Sequence, residues 1–247
     1  NANPIFLFAL NSEGSGVWQT DATNSNTSAL PQGLTDGVSA VALNEADNGF
    51  YNGLTTGSDN IGIGNHAGGG AVTGNANIAI GKTTADALTS GACNIALGLN
   101  ALGAATIGVR NIAIGEAAMS GVTTEQVDNN IAIGYDAMGG SSSTTGDNNI
   151  AMGQHAMDAI TTGACNVAIG GMNTMGAITT GSRNIAIGDT TLAVSTTGSH
   201  NIALGNQTMG ASDTTGNHNI ALGYAAMDAL LAGADNVGIG RLAASGL

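Results

Sequence analysis

Four histidines and two cysteines are the residues of this 247-residue chain with the plainest capacity for chemistry. His200 and His218 each stand directly before an asparagine, Asn201 and Asn219, in two copies of one repeated motif. Imidazoles at the same place on stacked coils would lie about 5 Å apart, close enough to begin a transition-metal site. Such a site needs further ligands of fixed position, and the sequence specifies no third. The pair therefore reads as part of a solvated polar column, with Arg183 before it and Asp235 after it. His66 and His155 fall in another column, five coils apart, and form no cluster. Cys93 and Cys165 share the column of His200 but stand four coils apart. At ~4.8 Å per coil that is roughly 19 Å, well beyond the ~7 Å a disulfide tolerates. With no C-x-x-C pair, they read as two free thiols in a small-residue slot.

Other motifs carry less. GIGNHA (62–67) and GIGRLA (238–243) match the G-x-G-x-x-A dinucleotide fingerprint, but both lie in register with the repeat and no long helix follows either. The fingerprint works only between a strand and a helix N-terminus, so no cofactor is expected. There is no G-x-S-x-G or H-E-x-x-H motif, no G-G-x-G-x-D calcium repeat, and no carboxylate pair placed at glycosidase separation. The chain reads as a non-enzyme with no catalytic, metal or cofactor residues.

Composition bounds the partners. Four basic against 17 acidic residues give a net charge of −13, which opposes nucleic-acid and anionic-lipid binding. No apolar run reaches the ~20 residues that span a bilayer, so no membrane insertion is expected. The short stretch Pro4–Leu10 lacks the preceding basic residue of a signal peptide. Charged residues are 9% and aromatics 3%, which disfavours an ordinary enzyme core, while 43% apolar residues exclude a disordered chain.

The elements that must position these residues are repeats. The unit N-[IV]-[AG]-[ILM]-G begins at Asn60, Asn77, Asn94, Asn111, Asn130, Asn149, Asn166, Asn184, Asn201, Asn219 and Asn236, at spacings of 17 to 19 residues. A degenerate unit, Ala40–Asn44, precedes them. Counting from each Asn, apolar residues at +1 and +3 alternate with Ala or Gly at +2, the strand period. Methionines recur at +8, and Leu88, Ile160, Ile178 and Leu230 form a column six residues before the next Asn. Thr-Thr-Gly turns the chain back; its two threonines are adjacent rather than two apart, which fits turn chemistry better than an ice-binding strand face. The pattern predicts an all-β fold: a parallel β-solenoid, or β-roll, of about 11–12 coils over residues 40–247, each with two short strands and two turns. The Ile columns are expected to line the core and the Asn column to stack as an amide ladder. Ala or Gly at +2 is expected to face outward, where its small size lets another subunit approach. Residues 1–39 hold both prolines and are expected to be a capping or attachment segment.

The columns NIAIG-x-x-A resemble the head repeats of YadA-type trimeric autotransporter adhesins, over about residues 40–244. The arm AM-x-x-x-TTG-x-x-N looks closer still to repeats in phage tail fibres. The resemblance implies a homotrimer of left-handed β-rolls on a virion, with residues 1–39 docking to a tail or baseplate protein and the rod meeting a host surface glycan or envelope protein. Sequence alone leaves handedness open, since the usual crossover rule favours the right hand. A bacterial surface adhesin head is the alternative, and a soluble ice-binding or polysaccharide-degrading solenoid is another from a different class. Solenoid insertions map to surface loops, often on the binding face. The two 19-residue units therefore nominate Thr123, Thr124, Glu125, Gln126, Ser141, Ser142 and Ser143 for receptor contact, together with Tyr135 and Tyr224 at +5.

Overall fold

The structure, a computed structural model, describes residues 40–43, 57–70, 72–122, 127–140 and 146–246. Twelve strands form a single parallel sheet in chain order: β1 (Ala40–Leu43), β2 (Asn60–Ile63), β3 (Ile78–Ile80), β4 (Ile95–Leu97), β5 (Ile112–Ile114), β6 (Ile131–Ile133), β7 (Ile150–Met152), β8 (Val167–Ile169), β9 (Ile185–Ile187), β10 (Ile202–Leu204), β11 (Ile220–Leu222) and β12 (Val237–Ile239). Each strand pairs in register with the next, so that Ala79, Ala96 and Ala113 stack directly. The described residues contain no helix. The chain is a parallel β-solenoid.

Among the described residues each coil shows one strand, not the two expected from its second apolar patch. That patch is built from turns in which left-handed residues recur at +6 and +8, as at Ala117 and Met119 (φ 57° and 54°) and at His155 and Met157 (both 53°). Interspersing this conformation lets the coil bond to both neighbours without extended backbone. The Ala117 N–H donates to Leu99 O at 2.9 Å on the preceding coil, and the Met119 N–H to Ala137 O at 2.9 Å on the following one. A third left-handed residue precedes every Asn of the eleven units, from Asp59 (φ 59°) to Asp235 (φ 60°).

The strand alternation is present but its faces are the reverse of the expectation. Ala at +2 points inward: Ala96, Ala113, Ala132, Ala151, Ala168, Ala186, Ala203 and Ala221 are wholly buried. Leu102, Met119, Met138, Met157, Met175, Leu192, Met209 and Met227 fill the space with them, backed by Leu88, Ile160, Ile178 and Leu230. The cause is width. A 17-residue coil encloses little more than one small and one long side chain across, so the strand can supply only Ala once the opposite turn supplies Met. The Ile columns at +1 and +3 consequently lie on the outer face, with Ile185 and Ile187 still 37% and 41% exposed. The Ala column is therefore not the surface available to another subunit.

The Asn ladder is present as expected. The Asn77 N–H and side-chain amide both donate to Asn60 Oδ1, at 2.8 and 3.0 Å, and Asn77 Nδ2 also donates to Gly91 O at 2.9 Å. The arrangement recurs down the rod, and the ladder asparagines from Asn60 to Asn219 are at most 1% exposed. Two further ladders escaped the sequence reading. Polar side chains at −2 accept the N–H of the preceding coil, as Asp147 does from Asp128 (2.7 Å) and Asn217 from Ser199 (2.8 Å). The first Thr of Thr-Thr-Gly donates across coils, Thr161 to Thr179 O and Thr179 to Thr196 O. No described buried side-chain polar atom lacks a partner.

The strand-end Gly is a steric requirement. Gly134 has φ 137°, and a Cβ there would sit 2.6 Å from Gly153 O. Gly240 has φ 119° with nothing within 4 Å of its would-be Cβ. Gly134→Ala should therefore lower stability by about 2–4 kcal/mol, and Gly240→Ala by about 1–2 kcal/mol from backbone strain alone. Thermal unfolding of the two variants side by side checks the difference.

Candidate functional site

Thr123, Thr124, Glu125, Gln126, Ser141, Ser142 and Ser143 lie outside the described residues. Tyr135 and Tyr224, the other two nominated positions, are 49% and 46% exposed. They belong to the coils of β6 and β11, roughly 24 Å apart along the stack at ~4.8 Å per coil. The fold does not bring them together. Each packs on the next coil: Tyr135 meets His155 in a T-shaped contact with centroids 5.4 Å apart, and Tyr224 lies under Arg241 at 5.6 Å.

Around Tyr135 the structure assembles a cluster that the sequence reading missed. His155 Nδ1 lies 3.3 Å from Asp136 Oδ2 on the preceding coil and 3.6 Å from Asp158 Oδ2 on its own. All three side chains are about a quarter to a third exposed. Burial pushes the Asp158 carboxyl above its ordinary value; His155 opposes the shift and Asp136 adds to it. The two acceptors facing Nδ1 assign the ring proton there. In the neutral ring this leaves Nε2 with its lone pair. The signal was available, since Asp136 and His155 occupy the same +6 column on successive units and Asp158 follows three residues later.

His200 and His218 stand as the repeat predicts, stacked with centroids 4.9 Å apart and an interplanar angle of 20°. Near-parallel rings hold their in-plane lone pairs in separate planes, so this geometry does not converge on one ion. His218 Nδ1 is 4.0 Å from Asp235. Among the described residues no group of three or more His, Cys, Asp or Glu is placed to hold a metal. Cys93 and Cys165 are exposed free thiols. Both G-x-G-x-x-A segments run from a strand into turns, which leaves no helix N-terminus for a pyrophosphate.

Among the described residues, the outer face of the sheet forms a long uniform surface. From β2 to β12 its +1 and +3 columns hold only Ile, Val, Leu and Met, with no charged residue. Eleven coils at ~4.8 Å make it about 50 Å long, and on the order of 500 Å² in area if about 10 Å wide. A contiguous apolar patch of that size is in the range of the largest found on ordinary monomers, and such patches are often functional. No protein-family model, curated protein or solved structure matches the chain.

Proposed function

We propose that the chain is the shaft of a phage tail fibre or related virion appendage: a homotrimer of left-handed β-rolls that presents a host-recognition surface and performs no catalysis. The observation that supports this reading most directly is the charge-free Ile face. Three copies packed on it about a common axis would bury the exposed apolar columns and keep the acidic residues, which give the chain its net charge of −13, outside. The likeness of NIAIG-x-x-A and AM-x-x-x-TTG-x-x-N to trimeric head and fibre repeats supplies the number three, the left hand and the virion. In this reading residues 1–39 attach the rod to a tail or baseplate protein, and the rod meets a glycan or envelope protein of the host. Identical weak sites on three chains would gain avidity.

Light scattering on the purified chain is expected to give about 72 kDa, three times the 24.0 kDa of one chain. A mass of about 24 kDa would overturn the trimer. The purified protein is expected to compete with virions for adsorption to host cells and to release no oligosaccharide from host envelopes. Release would sink the non-catalytic reading. The adhesin head uses the same repeat; an encoded signal peptide and anchor barrel in place of neighbouring tail genes would move the protein to a bacterial surface.

A further inference from the structure

The corner formed by Tyr135, Asp136, His155 and Asp158 combines features that no other described part of the rod combines. We propose that it is a subsite for a neutral hexopyranose within a surface glycan. The inference rests on the host-recognition reading and names the ligand class and the place.

The ring of Tyr135 is half exposed, and the T-shaped contact with His155 covers at most one of its faces. The exposed part of an aromatic ring can meet the C–H face of a pyranose, and the phenol supplies a hydroxyl at its edge. Beside it stand the two carboxylates of Asp136 and Asp158 and the imidazole of His155, all partly exposed. The carboxylate lone pairs not taken up by His155 and by the backbone at Asp158, with the phenolic O–H, give acceptors and a donor within one coil step, the complement of adjacent sugar hydroxyls. Among the described residues, Gly140 and Gly176 lie beside Asp158 on the neighbouring coils, and neither carries a side chain to overhang it. His155 ties Asp136 on the coil of β6 to Asp158 on the coil of β7, so the polar groups are held before a ligand arrives, which lowers the entropy cost of binding.

Competing ligands fit less well. The imidazole already occupies the space between the carboxylates, and no described group of three ligands is placed for a metal. An anionic sugar would meet two carboxylates on a chain of net charge −13. The other exposed tyrosine, Tyr224, has Arg241 over its ring and no such carboxylate pair.

The test is a printed array of neutral, uronate-bearing and sialylated oligosaccharides probed with the full chain, followed by titration of the strongest ligand. The wild type is expected to bind neutral hexose-containing glycans. Tyr135→Ala should weaken binding at least tenfold, Tyr135→Phe less than fivefold because the ring remains, and Asp158→Asn several-fold. Asn206→Ala, an exposed change at +5 on a distant coil, should leave it unchanged. Melting temperatures within a few degrees of wild type would show that the variants keep their fold. Undiminished binding by Tyr135→Ala overturns the subsite and leaves host recognition standing. Binding confined to acidic glycans or to protonated amino sugars overturns the ligand class. No glycan binding together with competition for host cells overturns the subsite and points recognition to an envelope protein. Failure of both assays overturns the host-recognition reading itself.

Discussion

Asn149→Ala should cost about 2–5 kcal/mol and lower the unfolding midpoint by about 5–15 °C. The side chain it removes serves two coils. Asn149 Oδ1 accepts the Asn166 N–H at 2.9 Å and Asn166 Nδ2 at 3.1 Å, and Asn149 Nδ2 donates to Gly163 O at 3.0 Å. Alanine leaves the Asn166 N–H and the Gly163 carbonyl without these partners, in a column that is wholly buried at Asn149 and Asn166, and each orphaned group costs about 1–3 kcal/mol. The end of the ladder provides the control. Asn236 donates to Asn219 Oδ1 at 3.1 and 3.0 Å and is only part-buried. Asn236→Ala should cost about 1 kcal/mol, one ordinary hydrogen bond. Asn149→Asp separates the ladder's two roles, because it keeps the acceptor and loses the donor to Gly163. A carboxylate buried against a carbonyl has a raised pKa, so the folded state binds more protons than the unfolded one. The variant should then regain stability as pH falls through that raised pKa toward the ordinary carboxylate range. Equal midpoints for Asn149→Ala and Asn236→Ala in thermal unfolding would refute the ladder as the source of stability.

The Asn column was legible because one residue type recurs at one phase through eleven units, and a stack gives a recurring amide only one efficient use. The orientation of the strand was not legible from its apolar alternation. Both phases of Ile-Ala-Ile are apolar, so hydrophobicity names two candidate core faces and volume has to choose between them. Met119 and Met138 recur at +8; the room they take inside a narrow coil is what leaves Ala113 and Ala132, not isoleucine, as the strand's inward residues. The second strand of each coil failed for another reason. Its apolar spacing suggested extended backbone, whereas residues such as Ala117 and Met119 satisfy coil-to-coil bonding from left-handed conformations that composition does not announce in non-glycine residues. At the candidate site Tyr135 is nominated by its type and its place at +5. Its neighbours emerge only from the order of the +6 column, where the residue stacked on His155 is Asp136 rather than another histidine.

The reversed face makes the assembly testable in a way the Ala column would not. Each Ile on the outer face that becomes covered contributes on the order of 1–2 kcal/mol from its remaining exposed area. The double change Ile185→Asp with Ile187→Asp on β9 should therefore shift the purified protein from about 72 kDa toward the 24.0 kDa of one chain. Six carboxylates would otherwise be desolvated together at one level of a trimer, at a cost of several kcal/mol. The coil itself should persist, because both side chains point away from its interior while Ala186 between them is wholly buried. Ala186→Leu is the complementary change. It overfills the interior opposite Met175 and Leu192, and should lower the unfolding midpoint by the equivalent of about 1–3 kcal/mol without adding charge to the outer face. The two variants thus separate self-association from coil stability: the aspartate pair changes mass first, the leucine changes melting first. An aspartate pair that stays at the wild-type trimer mass, with an Ala186→Leu chain that becomes monomeric at unchanged stability, would return the contact to the Ala column and refute the outer Ile face as the place where chains meet.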